Sequence, residues 1–215
     1  MMSVPKRSPI ALAVLALLAE APMHPYRMQA LIAERGKDEV INVSQRASLY
    51  NTIDRLGRDG LVRVRETIRE GHRPERSVYE ITAEGREAAA AWMGEMLSAP
   101  RREYPEFPAA LAHLPLLEPA SAAEYLRIRR AALGADVERL SAGISAVEDT
   151  IPRLFLLDAE LNLQVNRTEL AWLDGLIDDL TTGAMTWSRE SLQGFAHKLE
   201  TPKDLESRKP EDHEL

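Results

Sequence analysis

The chain has 215 residues, of which 45% are hydrophobic and 28% charged, a composition typical of soluble globular proteins. It contains no cysteine, which excludes disulfides, thiolate metal sites and a cysteine nucleophile. The longest apolar run, residues 10–19, is shorter than the roughly 20 residues that a membrane helix needs, and no leader cleavage site follows it. We therefore expect a cytoplasmic protein that does not associate with membranes.

The net charge of −7 is unevenly distributed along the chain. Residues 1–100 carry 14 basic and 13 acidic side chains, whereas residues 101–215 carry 13 and 21. Residues 42–77 alone hold eight arginines against five acids. A local basic patch is enough to bind phosphates, because charges further away than about 10 Å are largely screened at 0.1 M salt.

The first 60 residues predict three helices. The first begins at Ser8, which suits an N-cap, and the second begins near His24 and ends at Gly36. A third helix is predicted from an N-cap at Ser44 to about Arg58. Leu49, Ile53 and Leu56 give this helix one apolar face with i, i+4, i+7 spacing. Its opposite face is polar and arginine-rich, which fits either a nucleic-acid reader or an ordinary solvated surface.

Two strands and a fourth helix follow. LVRVR (61–65) and SVYEIT (77–82) have strand character, and the polar residues 69–76 between them predict a hairpin tip. Thr82 is the expected cap of a helix over 83–97. Three helices followed by a hairpin are typical of the winged helix-turn-helix, in which the third helix enters the major groove of DNA. We predict a mainly α protein with this domain over residues 8–98.

The second half predicts long paired helices. Residues 99–118 read as a linker with a short helix, residues 119–187 as a helical dimerisation domain and residues 198–215 as a disordered tail. Apolar residues recur every seven positions, a spacing that favours helix pairing, at Leu126, Leu133, Leu140 and Val147 and again at Leu156, Leu163, Leu170 and Ile177. A second apolar stripe, for which a partner subunit is the natural cover, comprises Leu157, Leu161, Val165, Trp172 and Leu176.

Three groups of residues resemble the PadR family of bacterial transcriptional regulators. They are Ser-Leu-Tyr at 48–50, Arg-Leu and Gly-Leu at 55–56 and 60–61, and RSVYEITAEGR at 76–86. The resemblance covers residues 8–98. The long helices of the second half resemble, more loosely, those of the virulence-regulator-like branch of the family. This chain departs from the family at Pro25, where glycine is common before tyrosine, and at Ala47, where glycine often precedes Ser-Leu-Tyr.

The resemblance and the element order together suggest residues that contact DNA. The candidates are Tyr26, Gln45, Arg46, Ser48, Tyr50, His72, Arg73 and Arg76. For Tyr50 the resemblance implies a DNA contact, and the alternative is a half-buried anchor of the helix. Arg46 suits either a guanine edge or a phosphate. The histidine and the arginines of the hairpin tip suit phosphates.

Three residues are candidates for an effector site or a dimer interface. Trp92 and Trp172 could line an effector cavity between subunits, or could simply belong to an interface core. Asn166 lies among seam leucines, where a buried asparagine would fix helix register, or else that part of the helix is exposed. An effector would act by changing the angle between the two winged domains of a dimer.

No catalytic or metal-binding motif is present. The five histidines have no ligand spacing, and the sequence has neither a phosphate-binding glycine loop nor a nucleophile elbow. We therefore expect no enzyme activity, cofactor or metal. The resemblance implies a repressor that binds an inverted-repeat operator in double-stranded DNA as a homodimer, although the residues alone do not distinguish repression from activation. The alternative is a winged-helix protein-interaction module that does not read DNA.

Overall fold

The computed structural model of the chain describes residues 7–42, 46–68 and 76–200. The chain divides into two compact units, within residues 1–103 and 104–215. The first unit contains α1 (Pro9–Glu20), α2 (Pro25–Glu34), α3 (Arg46–Arg58), β1 (Val62–Ile68), β2 (Arg76–Ile81) and α4 (Ala83–Ser98). The second contains α5 (Glu106–Ala112), α6 (Pro119–Ser145), α7 (Leu157–Thr182) and α8 (Arg189–Glu200). Short 3-10 turns lie at Lys37–Glu39, Leu114–Leu116 and Arg153–Phe155. The expected mainly α fold is confirmed.

The core of the first unit forms around α1. This helix is apolar on most of its surface, and it packs against α3, α4 and β2. Val14, Leu15 and Leu18 of α1 are buried together with Met28 of α2 and Leu56 of α3. A helix that is apolar nearly all round belongs in an interior, which explains its central position.

Local signals fix the ends of these helices where the sequence predicts them. The Ser8 hydroxyl accepts a hydrogen bond from the Ala11 N–H at the start of α1. Gly36 and Gly60 follow α2 and α3 with φ of 63° and 73°, a region that favours glycine. The cap predicted at Ser44 lies outside the described residues.

The two strands form the predicted antiparallel hairpin. Val62 pairs with Ile81 and Thr67 with Ser77, with an irregularity between Val64 and Glu66. Met23, in the turn between α1 and α2, forms an isolated bridge with Tyr79 of β2 through two backbone hydrogen bonds of 3.1 Å. The hairpin is therefore fastened to the helical core at its base.

In the second unit α6 and α7 form an antiparallel pair. Arg127 contacts Thr181 near one end of the pair, and Arg167 contacts Ser141 towards the other. Leu126 and Leu140 of α6 are buried, as are Leu163, Leu173 and Leu180 of α7, which agrees with the predicted seven-residue seam. The pairing predicted from the repeats is confirmed.

Two expectations about the second unit are wrong in detail. Leu176 is buried against α6 and does not belong to the exposed stripe, because it lies on the seam side of α7 with Leu173 and Leu180. The predicted tail began at residue 198, but α8 continues to Glu200. Reciprocal hydrogen bonds between the hydroxyls and backbone N–H groups of Ser188 and Ser191 stabilise the start of α8. No described helix is long and apolar enough to span a membrane.

Candidate nucleic-acid interface

Helix α3 has two chemically distinct faces. Leu49, Ile53 and Leu56 are fully buried in the core, as predicted, and Thr52 lies beside them. The Thr52 hydroxyl donates to the Ser48 carbonyl at 2.8 Å, so the one buried polar side chain of this face is satisfied within the helix. The opposite face is exposed along its length. Burial thus fixes the rotation of α3 and leaves its polar face available.

The predicted contact residues of α3 have different environments. Tyr50 is 44% exposed, so its side chain is partly packed and partly accessible. Ser48 is half-buried. Arg46 is the first residue of α3, but only its backbone is described, and Gln45 lies outside the described residues.

Tyr26 lies in the first turn of α2 and is 65% exposed. The Nδ1 atom of His24 accepts from the Tyr26 N–H at 3.0 Å and caps the helix. Pro25 occupies the first helical position, where a missing N–H costs little, so its departure from the family pattern is accommodated. A helix N-terminus also favours anions near it, which suits a phosphate beside Tyr26.

The hairpin contributes a second polar surface next to α3. Arg63 on β1 pairs with Glu80 on β2 at 2.7 Å, and Arg65 points away from the core. His72 and Arg73 lie outside the described residues, and of Arg76 only the backbone at the start of β2 is described. The predicted phosphate contacts of the tip therefore stay predictions.

A groove of about 730 Å³ lies between α3 and the hairpin. It is lined by Asn51, Ile53, Asp54, Gly57, Arg58, Val64 and Tyr79. Burial raises the pKa of the Tyr79 phenol, and nearby Asp54 and Tyr50 raise it further, so the phenol is protonated at neutral pH and can donate a hydrogen bond. Asn51 and Asp54 of this lining belong to no sequence motif, although the buried spacing of Leu49, Ile53 and Leu56 already places them on the outer face.

The three candidates for an effector or dimer site have different environments within their own units. Trp92 is 6% exposed and packs in the core of the first unit, which leaves little of its ring for a ligand or partner. Trp172 on α7 is 49% exposed, and Asn166 is half-buried on the same helix. No group of metal-ligating side chains occurs within the described residues.

Trp172 borders a second groove, of about 570 Å³, within the carboxy-terminal unit. Its ring meets Phe107 of α5 edge to face at 6.3 Å between centroids. The guanidinium of Arg129 lies 3.6 Å above the Phe107 ring and pairs with Glu169 at 2.6 Å. The groove is mostly apolar, with Pro108, Leu111 and Val165 also in its lining.

The first unit has three helices followed by a hairpin that is fastened to the helical core, and the third helix exposes a polar face. This arrangement defines a winged helix-turn-helix protein. Residues 14–91 match the model of the transcriptional regulator PadR-like family. The chain thus carries a PadR-like domain, and the resemblance drawn from the sequence is confirmed. This family is one of transcriptional regulators rather than enzymes.

Solved structures of this class are similar to the chain over most of its length. Bacillus subtilis PadR in complex with operator DNA is 16% identical, with 80% of this chain and 99% of that chain covered and a TM-score of 0.66. The same protein in complex with p-coumaric acid is 15% identical, with 80% and 98% covered and a TM-score of 0.65. The Vibrio cholerae virulence activator AphA is 19% identical, with 80% and 98% covered and a TM-score of 0.62. At these identities the likeness establishes the fold. No curated protein sequence matches the chain.

Proposed function

We propose that the protein is a site-specific DNA-binding transcriptional regulator, with α3 in the major groove and the hairpin on the neighbouring backbone. The observation that carries this proposal is the two-faced α3, buried on one side and polar on the other, inside a PadR-like winged helix. The similar fold of a PadR bound to operator DNA supports it. Its action on chromosomal DNA would take place in the cytoplasm.

Electrostatics also favour a DNA contact at this end of the chain. Residues 42–77 hold eight of the 27 basic residues and only five of the 34 acids, whereas the net negative charge lies in the second half. Phosphate binding depends on the charges within about 10 Å, so the overall charge of −7 does not oppose it. Tyr26 and Tyr50 are exposed side chains whose hydroxyls could donate to phosphate oxygens.

We propose that the regulator acts as a homodimer through an exposed apolar stripe on α7. The stripe consists of Leu157, Leu161, Val165 and Trp172, each about half exposed or more. These residues do not belong to the buried cluster that faces α6, and about half or more of each stays exposed although Trp172 also meets Phe107 of α5. Exposed contiguous apolar surface marks interaction sites. A two-fold dimer would present two α3 helices to an inverted repeat.

We also propose that the protein is a repressor and that a small-molecule effector controls it. The family resemblance implies a repressor that blocks a promoter. We place a small-molecule effector in the apolar groove between Phe107 and Trp172, where two aromatic rings would contact it. That a PadR of similar fold was solved with p-coumaric acid supports the existence of an effector. A ligand in this groove should alter the fluorescence of wild type and not that of Trp172→Phe.

Fluorescence anisotropy tests the DNA-binding proposal. Labelled duplex from upstream of the protein's own gene is titrated at several salt concentrations, with random duplex as competitor. We expect at least about a thousandfold preference for the specific duplex and an affinity that falls steeply with salt. Equal, weak and salt-insensitive binding to both duplexes would contradict the proposal and favour the protein-interaction module.

A further inference from the structure

Four residues of α3 lie directly opposite its buried face and form what we call the outer line of the helix. At about 100° per residue, the positions opposite the buried Leu49, Thr52, Ile53 and Leu56 are Ala47, Asn51, Asp54 and Arg58. All four residues are exposed. Three of them, Asn51, Asp54 and Arg58, also line the groove beside the hairpin. Tyr50 lies to one side of this line. Spacing of i, i+3 and i+4 on the outer face is the one by which recognition helices touch base edges.

Asp54 is the informative member of this line. Its carboxylate is exposed on the outer face, lines the groove together with Tyr79 and offers only hydrogen-bond acceptors. Phosphates repel it, so it cannot serve as a backbone contact. If α3 enters the major groove, a carboxylate on this face can contact the DNA only by accepting a hydrogen bond from a base-edge donor.

The bases differ in what they present there. Cytosine shows only an amino donor, whereas guanine and thymine show acceptors and adenine shows a donor beside an acceptor. A carboxylate therefore matches the N4 amino group of cytosine. The amide of Asn51 has one donor and one acceptor group, which matches N6 and N7 of adenine. Asn51 and Asp54 are three residues apart, which corresponds to a rise of about 4.5 Å along the helix axis. This distance is close to the roughly 3.4 Å between successive base pairs, so the two side chains could reach adjacent pairs.

We propose that Asp54 and Asn51 set the sequence preference of the regulator, with Asp54 selecting a C·G pair and Asn51 an adjacent A·T pair in each half-site. This inference rests on the proposed function. It assigns base reading to two residues of α3 and leaves the phosphates to the arginines and tyrosines around them.

The test is selection of binding sites from a random duplex library by the full chain, comparing wild type with Asp54→Asn and Asn51→Ala. Wild type should enrich a motif that contains adjacent C·G and A·T pairs. Asp54→Asn should lose about five- to a hundredfold of the preference at the C·G pair only, and Asn51→Ala the same at the A·T pair only. Asp54→Asn should also bind random duplex more tightly, because a negative charge facing the phosphates is gone.

Asp178→Asn is the matched control, since it removes the same charge from an exposed position on α7. It should enrich the wild-type motif with wild-type discrimination. Circular dichroism of each variant should show an unchanged melting temperature, because both α3 positions are exposed. If Asp54→Asn selects the wild-type motif with the same discrimination, the assignment is overturned. If wild type itself enriches no motif, the proposed function fails, and the inference with it.

Discussion

The backbone of Gly85, in the first turn of α4, lies directly against the carbonyl of Leu61 at the start of the hairpin. A Cβ on Gly85 would be 2.1 Å from the Leu61 oxygen and 2.8 Å from Cγ1 of Ile81. Thr82 closes the same junction, since its Oγ1 accepts from the Gly85 N–H at 3.0 Å and donates to the Gly60 carbonyl at 2.8 Å. The close approach of α4 to the hairpin adds to the Met23–Tyr79 bridge in fixing the hairpin to the helices.

Gly85→Ala should therefore destabilise the first unit strongly. The added methyl group would collide with backbone, which cannot move aside as a side chain can, and we expect a loss of about 1–3 kcal/mol or more in the free energy of unfolding. Gly94→Ala is the control in the same helix, because an added Cβ there would have no atom from outside its own helical turn within 4 Å, and it should be neutral or stabilise by up to about 1 kcal/mol. Urea denaturation measures both. Equal stabilities of the two variants would refute the close packing.

Thr82→Ala should cost about 1 kcal/mol of unfolding free energy, because α4 loses its N-cap and the Gly60 carbonyl loses a donor. Thr82→Ser keeps the hydroxyl and should recover most of that loss. The comparison, by thermal denaturation, separates the hydrogen bonds from the packing of the methyl group. An alanine variant as stable as wild type would show that the cap contributes nothing.

The ion pair between Glu20 and Arg35 should make the free energy of unfolding depend on pH. Arg35 donates two hydrogen bonds to Glu20, at 2.7 and 2.8 Å, and thereby lowers the pKa of that carboxyl from 4.5. A lowered pKa stabilises the fold when the pH is above 4.5, and the contribution is lost as the pH falls through the lowered value. Both side chains are substantially exposed, so the effect should stay below about 1 kcal/mol.

Glu20→Gln should consequently be less stable than wild type at pH 7, and the two should converge in acid. Glu87→Gln, at an exposed position of α4, should match wild type throughout. Urea denaturation between pH 7 and the acid limit of folding measures the difference. A gap that widens as the pH falls would contradict the sign of this argument.

Leu161→Asp should convert the proposed dimer to monomers. Leu161 is 66% exposed at the centre of the stripe on α7, and a buried unpaired carboxylate in an interface is costly. Ala171→Asp adds the same charge at an exposed position of α7 outside the stripe and should leave the dimer intact. Sedimentation equilibrium distinguishes the outcomes, and a Leu161→Asp dimer as tight as that of wild type would place the interface elsewhere.

Much of the fold could be predicted from the sequence because its signals are local and periodic. Ser8 and Thr82 cap the helices they were expected to cap, and the seven-residue repeats predict the pairing of α6 with α7. The helix after residue 188 was missed, since its charged and polar composition gives only a weak apolar pattern. Leu176 was placed on the wrong face because adjacent stripes on one helix overlap in sequence.

The candidate site was only partly predictable. The family resemblance makes Tyr50 and Tyr26 candidates, and both are exposed, as a contact would require. Asn51 and Asp54 carry no motif, and their importance depends on the groove beside Tyr79, which sequence spacing does not show. For Trp92 the sequence could not distinguish a core position from a cavity lining, because both environments favour an aromatic side chain.

Tyr50→Phe tests whether the exposed face of α3 binds DNA. The substitution keeps the packed ring and removes only the hydroxyl that would donate to a phosphate. We expect an affinity for the upstream duplex, measured by anisotropy, that is lower by about threefold to a hundredfold. Tyr125→Phe, at an exposed position on α6, should bind as wild type does. If Tyr50→Phe also binds as tightly as wild type, the Tyr50 hydroxyl makes no phosphate contact, which contradicts the proposed docking of α3.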